Sequence, residues 1–405
     1  MLHVTLIAGT YQPDRCGVAH YTSHLREALA EEVESVVLTT QAAAETLQEN
    51  RVRGVVQDWK LTSLLPLVRA IQTIPTDVLH IQHAAGTYSF QRPIFLLPLI
   101  LRTFGYRQPI VTTVHEYGWW EWQPKGIPPE LLEWLKQWGQ QRQWWDREDG
   151  FLLTGSQAII TTNVEAESAI CDRLPHLSDR LQRIPIAANV EVAPIERSPA
   201  RQLVRQTCGW SKESFVITFF GFLHPVKGIE NLLFAFKQIQ TTIPQARLLL
   251  IGGVESLALP ADEAKRYWDK LQVQISQLGL NEKVRMTGYV SEAIASHYLS
   301  GSDLGVLPFN HGVTLKSGSL LALLAHRLPT IATYSDPSDP ELTAAKIVYP
   351  VPPRNSDALA LALLKLIENP DLQKQLSAAG SEFVKQFSWE AIAQKHLQIY
   401  KSLLG

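Results

Sequence analysis

The chain has 405 residues, 45% of them hydrophobic and 19% charged, with a formal net charge of −2. That composition excludes disordered, collagen-like and coiled-coil classes and is long enough for two domains, each with its own core. The near balance of charge gives no general electrostatic reason to expect nucleic acid or an anionic membrane as partner. Cys16, Cys171 and Cys208 are scattered and form neither a disulfide framework nor a zinc spacing, so a reducing cytoplasm is expected. The opening MLHVTLIAG reads as a first strand rather than a signal peptide. The longest strongly apolar run, IFLLPLIL at 94–101, is far shorter than the roughly 18 residues of a spanning helix. A soluble protein is expected, at most peripheral at the inner membrane face.

In chain order, short apolar or β-branched runs alternate with helical patterns, the signature of βαβ units on a parallel sheet. The first half predicts strands at 3–9, 35–40, 78–83, 110–116, 158–163 and 181–187. The second half predicts them at 215–221, 246–253, 283–290, 304–309, 329–333 and 346–351. Helical patterns lie between them, for example over 17–32 and 228–242. The segment VEVAPIERSPAR breaks the alternation with two prolines near 190–200 and reads as a linker. The expected domains are 1–195, 196–385 and a closing helix over 386–405, for which Ser388 is a candidate N-cap.

Ligands of open parallel sheets sit beyond the carboxyl ends of the strands, and four strand-end segments fit that position. In AGTYQPDRCGVAHY, Gly17 opens a helix; an ordinary βα turn explains it equally well. In FFGFLHPVKGIENLL, Gly221 ends a strand and Lys227 precedes a helix six residues on. A lysine there opposes the helix dipole unless an anion shares the site; the alternative is a solvated surface lysine. In FNHGVTLKSGSLLALLAHRLPTIAT, Lys316, Ser317, Gly318 and Ser319 precede an apolar helix, where N–H groups and hydroxyls can hold an oxyanion. A simple N-cap accounts for the hydroxyls too. In TTVHEYGWWEW, His115 and Glu116 stand at a strand end, structural or functional.

Together these segments resemble the retaining GT-B glycosyltransferases of the glycosyl-group-1 class, often called family 4. GFLHPVKGIENLLFAF, RLLLIGG, VRMTGYVSE, SDLGVLPF and HRLPTIAT follow in that family's order, and FSWEAIAQKHLQIY resembles its closing helix, which crosses back onto the N-terminal domain. Gly17, DVLHIQH and TTVHE match in the first half. The resemblance implies an α/β protein with two doubly wound Rossmann-like domains: an acceptor side and a nucleotide-sugar side facing a cleft. It implies that Lys227 contacts the donor diphosphate, that Ser317, Gly318, Ser319 and Leu320 offer it donors, and that Tyr289 and Val290 lie by the base. Gly17 would admit the acceptor and phosphate, and His115 would lie near the transferred sugar.

Two departures stand out. The family's Glu-x7-Glu positions are Thr314 and Ala322 here, and Phe222 replaces the basic residue that often follows the glycine of the second domain's first strand. Lys316 is a second candidate cation, and with Thr314 it can substitute a different hydrogen-bond pattern. The implied chemistry is retention by front-side attack, assisted by the departing phosphate. His115, Lys227 and Lys316 are the catalytic candidates, with no metal and no cofactor beyond the nucleotide-sugar donor.

Seven tryptophans crowd 119–145, and Trp134, Trp138 and Trp145 can share a helical face. They read either as packing of a helical excursion over about 117–150 or as an acceptor platform, with Glu116, Trp119 and Trp120 on the acceptor side. The expected function is transfer of a sugar to a saccharide, lipid-linked or small-molecule acceptor. The competing readings are a GT-B protein that binds nucleotide sugar or a partner without turnover, and a GT-B nucleotide-sugar epimerase. Nothing in the sequence gives the oligomeric state.

Overall fold

A computed structural model of the chain describes every residue except 15, 119–125, 255–260 and 337. The fold divides into two compact units, Met1–Ile186 joined by Trp389–Gly405, and Ala187–Ser388. The terminal helix Trp389–Ser402 thus belongs to the first unit, where it packs on the helix Gly17–Ala28.

The first unit contains β1 (Leu2–Ala8), β2 (Val33–Thr40), β3 (Val52–Val56), β4 (Val78–His83), β5 (Ile110–Val114), β6 (Ala158–Thr161) and β7 (Leu181–Arg183). They form one parallel sheet in the order β3-β2-β1-β4-β5-β6-β7. The second unit contains β8 (Phe215–Phe220), β9 (Ala246–Ile251), β10 (Val284–Met286), β11 (Leu304–Leu307), β12 (Thr330–Thr333) and β13 (Tyr349–Val351). Its parallel order is β10-β9-β8-β11-β12-β13. Both are doubly wound Rossmann-like sheets.

Central strands such as β4 and β11 are buried along their whole length, which is why they read as continuous apolar or β-branched runs. The largest differences from the expected spans fall at the edges. β7, β10 and β13 shrink to three residues each, because an edge strand has a neighbour on one side only. Sequence patterning missed β3, a short edge strand interrupted by Gly54; a Cβ there would lie 2.6 Å from the Gln41 Cα, so the glycine lets strand and helix touch. Among the described residues no helix is long and apolar enough to cross a membrane.

Candidate functional site

The strand order of the second sheet reverses between β8 and β11, and such a switch point opens a crevice at the strands' carboxyl ends. Gly221 follows β8 with φ +135°, and a Cβ on it would sit 2.7 Å from the Ser319 Oγ. Only glycine meets both conditions. Two loops that the sequence keeps almost a hundred residues apart therefore meet here.

Lys227 ends a short 3-10 turn, Pro225–Lys227, opened by His224, whose Nδ1 accepts the Val226 N–H at 3.3 Å. Gly228 follows with φ +67°, where a Cβ would collide with the Pro308 carbonyl oxygen just past β11. Asn310 clamps the same turn: its N–H donates to the Val226 carbonyl at 2.9 Å and its Nδ2 to the Pro225 carbonyl at 2.9 Å. This close approach lays the half-buried Lys227 ammonium 3.6 Å from the centre of the Phe309 ring. Burial, and then the charge of Lys316, lower the Lys227 pKa from 10.5 to about 8. Lys316 is exposed and near enough for its charge to act on Lys227, and two positive charges that near each other favour an anion.

The helix Gly318–Ala325 begins at Ser317, whose Oγ accepts the Leu320 N–H at 3.3 Å. The Leu320 amide is thus engaged within the cap and its side chain is fully buried, so Leu320 does not present a donor outward. Gly318 packs against Asn189, the Cβ position lying 3.2 Å from the Asn189 Cγ. Among the described residues the buried Asn189 Oδ1 accepts no hydrogen bond, an acceptor at this helix start that sequence patterning gave no reason to single out.

Ala322 is fully buried within the apolar cluster of the unit, so its side chain faces the core. Thr314 is partly exposed, and its carbonyl accepts the Ser317 N–H at 3.1 Å. A carboxylate does stand beside this loop, brought from outside it. Asp339 Oδ2 accepts the Leu315 N–H at 2.9 Å, while its Oδ1 accepts from Glu341 and Leu342 at 3.1 and 3.0 Å. Occupied by backbone amides, Asp339 holds the loop in shape. Tyr289 is exposed beyond β10, next to Gly288 with φ +70°, and Val290 packs partly against the core. Phe222 is partly exposed just after Gly221.

In the first unit, His115 follows β5, its N–H donating to the His83 carbonyl at 2.9 Å. Its Nε2 lies 3.0 Å from the Gln82 Oε1, and Tyr21 meets the ring edge-on with centroids 4.8 Å apart. Burial, then the neighbouring His83 and His396, drive the His115 pKa from 6.5 down to about 3. It is therefore a neutral hydrogen-bonding group near pH 7 rather than a proton donor from an imidazolium. Gln82 and the fully buried His80 and His396 form the polar surroundings that patterning missed, because a β4 run with His and Gln inside it reads simply as a strand.

Gly17 starts its helix without a side-chain cap, has no left-handed φ, and a Cβ on it would meet nothing within 4 Å. The protein itself thus gives no packing reason for glycine at 17. Glu116 is exposed. Trp119 and Trp120 lie outside the described residues. On the helix Pro129–Gln141, Trp134 and Trp138 stack at 6.1 Å, and Trp138 also meets Trp144 and Trp145, which lie beyond the helix end, at 5.0 and 5.8 Å. Trp134 and Trp144 keep 57% and 55% of their surface exposed.

Residues 201–383 match the family described as Glycosyl transferases group 1. The chain is 26% identical over 199 residues to a phosphatidyl-myo-inositol mannosyltransferase of Mycobacterium leprae, 49% of this chain and 49% of that protein. It is 26% identical over 203 residues to a mannosylfructose-phosphate synthase of Agrobacterium fabrum, 49% of this chain and 42% of that one. The chain spans about half the length of these curated relatives. Among solved structures, Anabaena HepE in complex with UDP and glucose matches with a TM-score of 0.70 at 15% identity, covering 99% of this chain and 100% of that one. Sucrose-phosphate synthase from Thermosynechococcus elongatus matches with a TM-score of 0.67 at 19% identity, covering 100% and 99%. At these identities the structural likeness establishes the fold, which is GT-B.

Proposed function

We propose that this chain is a group 1 glycosyltransferase that moves a sugar from a nucleoside-diphosphate sugar to a saccharide, lipid-linked or small-molecule acceptor with retention of configuration. The observation that carries this reading is the meeting of Gly221 with Ser319, with Lys227 on the loop that follows Gly221, at the switch point of a sheet inside the group 1 match.

In this reading Lys227 and Lys316 take the donor diphosphate together with the Ser317, Gly318 and Ser319 end of the helix. As the anomeric C–O bond breaks, its electron pair passes to the phosphate oxygen, and the ammonium charges stabilise the anion that forms. The acceptor hydroxyl attacks from the same face, and its proton goes to that departing phosphate oxygen, so no protein base is required. At its lowered pKa of about 8, Lys227 remains mostly charged near pH 7. Neutral His115 hydrogen-bonds a hydroxyl of the transferred sugar, and Gly17 leaves room for a ligand to approach its helix start. Tyr289 flanks the base, and the exposed tryptophans stack on the acceptor.

A second reading, nucleotide-sugar binding without turnover, draws on Thr314 and Ala322, which carry no carboxylate where the resemblance implies one. A thermal-shift screen against UDP, GDP, ADP and their sugars finds the donor, because a ligand of the folded state raises the melting temperature. HepE was solved with UDP and glucose, which makes UDP-glucose the first donor to try. Slow release of nucleoside diphosphate that disappears in Lys227→Ala supports the transferase. Binding with no release, in the presence of a panel of acceptors, supports the second reading.

A further inference from the structure

Gln82 is fully buried near the end of β4, where a primary amide is costly unless its polar atoms are paired. Its Oε1 lies 3.0 Å from His115 Nε2, and its Nε2 lies 3.3 Å from His80 Nε2. His80, fully buried as well, places its Nδ1 2.6 Å from the Tyr400 hydroxyl and its Nε2 2.7 Å from Thr113 Oγ1. A hydrogen-bonded line therefore runs from Tyr400 on the terminal helix through His80 and Gln82 to His115. Of these four, only His115 is partly exposed.

An amide accepts at one end and donates at the other, so it imposes direction on such a line. With the oxygen toward His115, the Nε2 of that ring carries its proton and Nδ1 keeps a lone pair. With the NH2 group toward His80, the Nε2 of that ring accepts, and Nδ1–H donates to the Tyr400 oxygen. Tyr21 packs edge-on with the His115 ring, and Asn163 Nδ2 donates to the His115 carbonyl at 3.1 Å and fixes its backbone. Among the described residues His115 Nδ1 makes no hydrogen bond. The depressed pKa of His115 keeps the ring neutral, so its tautomer alone decides which nitrogen accepts.

We infer that Gln82 is a positioning residue for the transfer: it locks neutral His115 in the Nε2–H tautomer, so that Nδ1 accepts a hydrogen bond from a hydroxyl of the bound sugar. This rests on the proposed placement of His115 beside that sugar.

The test is long-range proton–nitrogen NMR on the full chain labelled at histidine, with the His115 and His80 signals assigned by their loss in His115→Ala and His80→Ala. The wild type is expected to show Nε2–H at His115 and Nδ1–H at His80. Gln82→Leu removes the acceptor, and His115 then samples both tautomers. Gln82→Glu restores an acceptor toward His115 and offers a second one toward His80, so His115 stays Nε2–H while His80 switches to Nε2–H. Donor kinetics follow the same order: Gln82→Leu lowers kcat about tenfold, the worth of one hydrogen bond, with KM for the donor nearly unchanged, and Gln82→Glu recovers most of it. An Nδ1–H wild-type His115, or a tautomer indifferent to Gln82→Leu, overturns the inference. Where Gln82→Leu does not fold, an unaltered His80 signal in folded Gln82→Glu overturns it. The predicted tautomers in a protein that neither binds nor turns over any nucleotide sugar would confirm the lock but overturn the sugar role along with the proposed function.

Discussion

The two units solve the same problem, presenting polar groups at the carboxyl ends of a parallel sheet, in opposite ways. The second keeps its core apolar up to the switch point and sets its full charges, Lys227 and Lys316, where solvent still reaches them. Its buried ion pair, Arg205 with Asp303 at 2.6 Å, instead ties down the start of β8, since Asp303 also accepts the Val216 N–H. The first unit encloses His80, Gln82 and His396 behind the strand ends as neutral dipoles, while its buried Asp149 pairs with His83 Nε2 at 3.0 Å. Charge in a half-open place suits an anion that arrives and leaves. Enclosed neutral groups hold one side chain in one orientation at lower desolvation cost.

Acid should separate the two units most strongly. The His396 pKa lies near 4 and that of His80 well below 6.5, both chiefly through burial. Histidines depressed in the folded state bind fewer protons than in the unfolded chain between about pH 4 and 6.5. The contribution of these histidines therefore rises with pH across that window, by up to about 1.4 kcal/mol per pH unit for each group, while the Glu148 and Asp146 carboxyls of the same unit, raised by burial to about 8 and 6, act in the opposite sense. Hydrogen exchange read on β4 and the terminal helix, where these histidines sit, should show local loss of protection as pH falls from 7 to 5, ahead of β8 and β11. Simultaneous loss in both sheets would contradict the contrast.

A glutamate at position 322 should act in the reverse place. Ala322→Glu puts an uncompensated carboxylate into the core of the second unit, at a cost of about 3–5 kcal/mol. Exchange protection of β11 and β12 should fall while that of β4 stays, and donor turnover should not improve. A gain in turnover without destabilisation would mean that this helix presents residue 322 differently.

Lys227→Ala should lower turnover about 10²–10³-fold, the usual loss when one preplaced stabiliser of a developing anion is removed. Its lowered pKa adds a pH signature: nucleotide affinity should decline from pH 7 to 9 in the wild type, and lose that slope in the variant. Because the folded state holds fewer protons than the unfolded one between about 8 and 10.5, Lys227 favours folding less at neutral pH than above it. Lys227→Met is thus expected to melt no lower than wild type at pH 7. A collapse in stability would make Lys227 structural.

His115→Ala tests the other half of the comparison. Turnover should fall about tenfold or more through one lost hydrogen bond to the sugar, while nucleoside diphosphate binding stays within about twofold. Equal losses in both would signal a folding defect.

How much of this could be read in the sequence differs between the units for a physical reason. Strands β8, β9, β11 and β12 and the Gly221, Lys227 and Ser317–Ser319 loops were legible, because glycines that must take left-handed φ or admit a neighbour, and a lysine at a helix start, leave local marks. The pairing of Gly221 with Ser319 and the Asp339 brace were not, since both depend on chain folding across many residues. In the first unit His115 was visible at a strand end, but Gln82, His80 and Tyr400 were hidden: their significance lies in side-chain directions within β4 and the terminal helix, which periodicity does not encode. The resemblance implies a lost ribose contact at Ala322, and the burial of that side chain in the apolar cluster is a further feature that patterning does not give.

The smallest effect is expected at Lys316, which separates field from contact. The residue is exposed, and its charge is one of the causes that lower the Lys227 pKa. Lys316→Ala therefore does two opposed things: it removes a positive charge from the diphosphate site, and it lets Lys227 hold its proton to higher pH. At pH 7, where Lys227 is already mostly charged, the first dominates, and donor affinity or rate should fall about tenfold. Near pH 9 the gap between variant and wild type should narrow, because more of the variant's Lys227 remains protonated. Added salt should shrink it as well, since an exposed charge is screened over about 8–10 Å near physiological ionic strength. A titration of nucleoside diphosphate binding at two pH values and two salt concentrations reads both effects. Kinetics unchanged at pH 7 in low salt would remove Lys316 from the site and leave Lys227 as its cation.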